Sequence, residues 1–377
     1  MSFRYASGLV KPGFNSLAAP TVISYSYNLF AWGQNSTGMT GLGNTTAYSS
    51  PKQVGSLTTW LKIAASDYVT TAVKTDGTLW TWGKNNIGQL GLGNTTYYSS
   101  PKQVGALTAW SLTSAGGNHC IAIKTDGTLW AWGDNGSGQL GLGNQTNYSS
   151  PKQVGSLTDW LKISTGYSFT TSVKTSGTLW GWGSNSNGQL GQGNRTLYSS
   201  PKQVGSLTDW SNVSNGYSFC LALKTDGTLW AWGQGGNGNL GLGNGTYYSS
   251  PKQVGSLTTW SKIGTGSATS FGITTAGALW GWGSNGDGQI GLGNRTSYSS
   301  PKQVGSLTTW DYITSGRGVQ STFGVTTSGA LWAWGRNFAG QLGLNNRTYY
   351  SSPKQVGSLT TWQHPFTTGG RTVVVIG

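Results

Sequence analysis

Glutamate is absent from this 377-residue chain. All nine acidic residues are aspartates, and charged residues of either sign make up 8% of the sequence, against about 25% in ordinary soluble domains. A chain poor in Glu, Lys and Arg and rich in Gly, Thr, Ser, Asn and Trp is not built for helices. Two cysteines and two histidines leave little for thiol or metal chemistry. No apolar run approaches the ~20 residues of a membrane-spanning helix, so no membrane insertion is expected. Residues 1–20 lack the continuous apolar stretch of a secretory signal, so no export route of that type is expected.

What is present points to a packed all-β protein. There are 62 glycines and 20 tryptophans, and aromatic residues reach 12%, enough apolar area for cores despite the glycine. The net charge of +14 permits contact with polyanions.

The string SSPKQVG occurs seven times unchanged, beginning at Ser49, Ser99, Ser149, Ser199, Ser249, Ser299 and Ser351. A single tryptophan follows each copy, from Trp60 to Trp362. The step is 50 residues five times and then 52, with the two extra residues within Arg317 to Thr322. Within one copy, Thr70–Lys74 predicts a strand, Asp76-Gly77 a hairpin turn, since both positions tolerate positive φ, and Leu79–Trp82 the partner strand. Trp80 and Trp82 then share a face. The stretch from Gly83 to Ser100 reads as loop, and Pro101 suits a strand start or edge.

Several short strands per ~50-residue unit match a propeller blade, and seven copies lie within the usual four to eight. The predicted architecture is a seven-bladed β-propeller over 27–377, preceded by a short N-terminal arm, 1–26. The first copy starts at its second hairpin strand, near Leu29–Trp32. The last ends in the β-branched run Thr372–Ile376, which resembles a first hairpin strand. Pairing of these terminal strands is expected to close the ring.

The segment Leu129–Asn144, LWAWGDNGSGQLGLGN, followed by Pro151 and Val154, resembles the repeat of the regulator of chromosome condensation family, and the very regular copies are similar to its bacterial and phage-like members. The resemblance implies a seven-bladed propeller with a shared closing blade. It also brings to mind the family's best-known activity, nucleotide exchange on a small GTPase combined with nucleosome binding. Those functions depend on features of individual blades, and the constant spacing here gives no protruding insertion.

Candidate sites are few. His119 and Cys120 are adjacent on a predicted strand and so point to opposite faces, which is poor geometry for a nucleophilic pair. Cys120 and Cys220 stand two repeats apart, too far for a disulfide, and are expected to be free, partly buried thiols. The seven Asn-x-Thr sites, Asn44 to Asn346, read as turn caps, with glycan attachment as the alternative in an exported protein. The GQLGLG stretches lack the context of a dinucleotide site. Asp134 and Asp287 are too isolated for a calcium loop. No cofactor, metal or catalytic set is expected, and most tryptophans are assigned to the core.

Lys52, Lys102, Lys152, Lys202, Lys252, Lys302 and Lys354 recur once per blade and are expected to ring one face or rim, either capturing a polyanion or solvating the surface. Arg195, Arg295 and Arg347 add charge on some blades only. Phe3, Arg4, Tyr5 and Phe14 in the arm suit docking on a partner, with a disordered leader as the alternative. The expected function is a non-enzymatic structural or adhesive module of a virus particle. In that setting the arm holds other virion proteins, and the ring is open to host-surface glycan or another polyanion. A lectin-like or polyanion-binding module, and a regulator of an intracellular GTPase by family analogy, are the alternatives.

Overall fold

Each copy folds through strands of small and β-branched residues separated by fixed turn chemistry. Of the two turn residues that tolerate positive φ, Gly77 adopts it, at +76°, and Asp76 does not. Asp76 acts through its side chain: one carboxylate oxygen accepts from the backbone N–H of Thr78 at 2.9 Å and from its hydroxyl at 2.6 Å. The tight turn needs Gly at these positions for space as well as for φ. A Cβ at the equivalent Gly127 would lie 1.9 Å from the carbonyl oxygen of Thr158.

The computed structural model describes residues 28–316, 318, 320–367 and 372–376. The arm, with Phe3, Arg4, Tyr5 and Phe14, lies outside them. Among the described residues there are 28 strands, β1–β28, and no helix. The chain begins with β1 (Leu29–Gly33) and β2 (Tyr48–Gln53). It continues through β3 (Trp60–Ala65), β4 (Val69–Lys74), β5 (Leu79–Gly83) and β6 (Tyr98–Gln103), an antiparallel sheet in the order β3-β4-β5-β6. The same order recurs in β7–β10 (residues 110–153), β11–β14 (160–203), β15–β18 (210–253), β19–β22 (260–303) and β23–β26 (310–355). Six sheets are therefore built from consecutive strands. A seventh draws on both chain ends, β2-β1-β28-β27, with β27 at Gln363–Thr367 and β28 at Thr372–Ile376. The fold is an all-β propeller.

The first strand of each sheet lines a central channel and the last is outermost. The outer strand begins earlier than expected, at Tyr98, so Ser99 and Ser100 belong to it. Its register against β5 slips between Thr81 and Gly83. This bulge accommodates Pro101, which has no N–H to donate.

The core lies between neighbouring sheets. Trp60, Ile63, Ala72 and Trp82 pack with Leu29, Ala31 and Val54 of the preceding one. The indole N–H of Trp82 donates to the carbonyl of Met39 at 3.0 Å, and that of Trp132 to Gln89 at 3.1 Å. The bond recurs at every sheet and includes Trp32 to Gln341 at 2.9 Å, between the first and last copies. Not all of the tryptophans are core. The Trp60 and Trp82 series are buried, whereas Trp80, Trp130, Trp180, Trp230, Trp280 and Trp332 are half-buried. Trp60 meets both Trp80 and Trp82 edge-on, at 6.1 and 5.8 Å. The alternation that puts Trp80 and Trp82 on one side leaves Trp80 nearer the end of the sheet and partly open.

Strand direction sorts the loops. One face carries the β3–β4 turns and the long loops such as 84–97. The opposite face carries the Asp76-Gly77 type hairpins and the loops, such as 104–109, that cross from an outer strand to the next inner one.

Candidate binding surfaces

Comparison of the seven copies with one another separates the two faces. The crossing loops and hairpins scarcely change. The opposite, variable face holds Lys84, Asp134, Ser184 and Arg336 at one equivalent position, and Thr95, Gln145, Arg195 and Arg347 at another. The inner turns differ most, and the two-residue insertion falls in one of them, at 316–320. Arg195, Arg295 and Arg347 are exposed on this face.

Four consecutive inner turns join tip to tip along the channel mouth. Gly117 N–H donates to Tyr167 O at 3.0 Å, Tyr167 N–H to Tyr217 O at 3.2 Å, and Tyr217 N–H to Ser267 O at 3.3 Å. The Tyr167 and Tyr217 rings stack at 4.4 Å. Partial burial, then Tyr167 and the charge of Asp67, hold the Tyr217 hydroxyl above its ordinary pKa. Lys84 lies 4.6 Å above the ring of Tyr68. Beneath the mouth the channel holds a cavity of about 320 Å³, with Ser114, Ser164, Asn215 and Tyr312 among its lining residues. Burial in the channel wall pushes the Tyr312 hydroxyl up to about 12. Among the described residues the mouth is an asymmetric patch of stacked aromatic rings with the carboxylate of Asp67 and the ammonium of Lys84, suited to planar or hydroxyl-rich ligands.

The seven recurrent lysines, Lys52 to Lys354, are all exposed on the outermost strands, so they ring the rim. Each ammonium lies over the tyrosine four residues earlier, between 5.4 Å for Lys102 and 5.7 Å for Lys52. Four further lysines were not singled out from the sequence. Lys74, Lys124, Lys174 and Lys224 sit between two indoles, Lys74 at 5.2 Å from Trp60 and 3.9 Å from Trp80. Burial lowers the pKa of Lys74. Lys174 and Lys224 also pair with Asp159 and Asp209 at 3.2 Å. Thr274 and Thr326 replace the lysine in the last two full sheets, so the cage is an inter-strand brace on part of the ring.

The hairpin aspartates carry a pH dependence. The side-chain hydrogen bond from Thr78, Thr128 or Thr228, then the backbone one, holds Asp76, Asp126 and Asp226 below the ordinary value of 3.8. Their contribution to stability is therefore complete above the unfolded value and is lost as pH falls through the folded one. Replacing all three by Ala is expected to lower the urea midpoint at pH 6. The difference from the parent should shrink steadily below pH 4.

The remaining candidates resolve simply. Cys120 and Cys220 are free and fully buried, not partly. They fill a slot held elsewhere by Thr70, Thr170 or Ser270, and Cys220 Sγ donates to Gln189 O at 3.2 Å as Thr170 Oγ1 does to Gln139 O at 2.9 Å. Burial raises both thiol pKa values, so neither is a ready nucleophile. His119 is buried, with Nε2 3.1 Å from the hydroxyl of Thr170. All seven Asn-x-Thr asparagines accept from the backbone N–H two residues on, as Asn94 does from Thr96 at 3.0 Å. Asn85 and its equivalents, which sequence reasoning missed, pin the long loop from inside: Asn85 accepts from Leu90 N–H and donates to Asn94 O, both at 2.9 Å. Their place after Trp-Gly-x, held in every copy but the one with Gly235, was the available signal. Asp134 and Asp287 bind within their own loops or to Gln139 and Arg336.

The sequence profile of the regulator of chromosome condensation (RCC1) repeat matches residues 28–73, 76–123, 126–173, 176–223, 226–273, 276–319 and 328–376. The chain belongs to this family. A second profile of the same description matches within four of the repeats, at 60–89, 111–139, 160–189 and 260–289. Every RCC1 repeat after the first begins at a hairpin, and each contributes the outer half of one sheet and the inner half of the next. The fold is similar to that of Prp20p from Saccharomyces cerevisiae, whose structure is described together with its binding properties to Gsp1p and histones (TM-score 0.83, 18% identity, 94% of this chain and 92% of that one). It is also similar to yeast RCC1 (Prp20) bound to Kap60 (0.83, 18%, 100% and 96%) and to human WBSCR16 (0.82, 18%, 93% and 99%). At these identities the RCC1 likeness is one of fold. No curated protein matches the chain.

Proposed function

We propose that this protein is a non-enzymatic binding module that recognises its partner with the variable face and serves as a structural or adhesive component of a virus particle. The observation that carries the reading is the distribution of differences among the copies: they gather on one face and are greatest around the channel mouth. Side chains that differ from blade to blade make an asymmetric surface, which can select one partner over others. Membership of the RCC1 family supports a non-enzymatic role. In the finer form of the proposal, residues 1–26 attach the propeller to other virion proteins and the paired terminal strands lock the ring. The non-repeating leading segment and the regularity of the copies support this form.

A glycan array tests the recognition surface. The parent should bind a restricted set of glycans, and the Tyr167→Ser/Tyr217→Ser variant should lose that signal by about tenfold or more. An array signal that is unchanged in the variant moves recognition away from the mouth. Truncating residues 1–26 should abolish attachment to particles and leave the melting temperature of the propeller unaltered. A second reading, capture of a polyanion, is favoured by the exposed lysine rim. Retention on heparin that falls steeply with salt, and falls again when the rim lysines are replaced, would support it. Regulation of an intracellular GTPase rests on family kinship alone and is tested by an exchange assay.

A further inference from the structure

The constant face has its own chemistry, apart from the proposed recognition surface. The crossing loops carry seven leucines, one per copy, and all are exposed, from 42% at Leu57 to 54% at Leu359. The leucine never changes, although the residue two positions on is Thr, Ala or Asp in different copies. Because the copies are equivalent, the leucines stand at one height in a ring that faces away from the variable loops. Apolar hollows open beside them. Leu157, Trp160, Trp180 and Pro201 line one of about 340 Å³, and Leu207, Trp210, Trp230 and Pro251 another of about 320 Å³. The rim lysines occupy this half of the outer strands, and Lys62 and Lys162 occupy the corresponding half of the inner ones, where Lys262 is paired with Asp311.

We propose that the constant face docks on an anionic lipid surface, with the leucine ring entering the interface and the lysines meeting the headgroups. Two features select this occupant. First, a face of seven identical contacts suits a partner that is laterally uniform, as a bilayer is and a folded protein is not. Second, apolar tips inside a rim of exposed lysines match the layering of an anionic membrane, with charge outside and hydrocarbon beneath; of the aspartates on this face, Asp159, Asp209 and Asp311 are each paired with a lysine of their own, Lys174, Lys224 and Lys262. The positive rim disfavours a second copy of the chain face to face, since like charges would oppose one another. The seven contacts act together, so weak single insertions add up to firm attachment.

Sedimentation of the full chain with vesicles tests this. Vesicles of phosphatidylcholine with a quarter phosphatidylglycerol should bind it, and pure phosphatidylcholine should bind it at least about tenfold more weakly. Replacing Leu107, Leu157, Leu207 and Leu257 by Ser should lower partitioning into the anionic vesicles by about tenfold or more. Replacing Lys102, Lys152, Lys202 and Lys252 by Gln should do the same. An Arg195→Ser/Arg295→Ser/Arg347→Ser variant, altered on the other face, should bind as the parent does, and melting curves confirm that each variant is folded. Absence of binding to the anionic vesicles overturns the proposal. So does binding that needs the lysines and ignores the leucines, which marks a surface for polyanions such as nucleic acid. A parent that is dimeric in solution and becomes monomeric in the leucine variant also overturns it, because the ring then covers a second copy.

Discussion

Removing residues 372–377 is expected to lower the stability of the propeller by about 5 kcal/mol, taking roughly 1 kcal/mol for each of about five ladder positions. Strand β28 pairs with β1 over five positions, from Leu29↔Ile376 to Gly33↔Thr372. On its other side it pairs with β27 at Gln363↔Ile376, Phe366↔Val374 and Thr367↔Val373. It is an inner strand of its sheet, so its loss leaves β27 with no partner in that sheet and turns β1 into an edge. Leu29 and Ala31, fully buried in the intact protein, then lie beside an open edge. Among the described residues, the closing sheet is also the one in which distant parts of the chain complete a single unit. A cut there should loosen both ends together and broaden the urea transition as well as shift it. Equilibrium urea unfolding followed by tryptophan fluorescence checks this. A midpoint equal to that of the intact chain would falsify closure through the terminal strands.

The sequence shows some of these features plainly and hides others, for identifiable reasons. Copy number, the hairpin at Asp76-Gly77 and the turn role of Asn94 depend on neighbours along the chain, so the repeat exposes them. The stacking of Tyr167 on Tyr217 brings residues of adjacent sheets together, and no spacing within one copy foretells it. The same limit applies to the burial of the cysteines. Cys120 and Cys220 occupy the position of Thr70 and Thr170, but only the packed fold shows that the position is a sealed slot facing a neighbouring sheet's carbonyl. Alternation places Trp80 and Trp82 on one side without saying which stands nearer the open end of the sheet. The lysine ring was legible as a ring; its place on the outermost strands follows from the radial order of the sheet. The distinction between the two faces also lay in the sequence, because positions that vary among copies can be read without any structure. It became meaningful only when the loops were sorted by strand direction.

Replacing Trp132 by Ala should cost about 4 kcal/mol, the usual range for a large buried aromatic side chain. The indole is fully buried among Leu90, Val104 and Trp110, and its N–H donates across the sheet boundary to Gln89. The loop backbone rests directly on the ring: a Cβ at Gly91 would come within 2.8 Å of the indole nitrogen. Truncation therefore leaves a cavity and a buried carbonyl that has lost a partner, and neighbouring glycines carry no side chain that could fill the space. Phe at this position keeps most of the ring and loses the hydrogen bond, so about half the penalty is expected. Trp182→Ala should match Trp132→Ala, since Trp182 makes the same bond to Gln139 at 3.0 Å. Trp32→Ala is the decisive comparison, because Trp32 makes the equivalent bond between the first and last copies. In an open array of repeats the end units fray on their own, and a change there costs little of the global stability. In a closed ring no unit is terminal. Equal penalties at Trp32, Trp132 and Trp182 would show that the ring unfolds as one cooperative body, whereas a small penalty at Trp32 would mark the closing sheet as the place where the ring opens first.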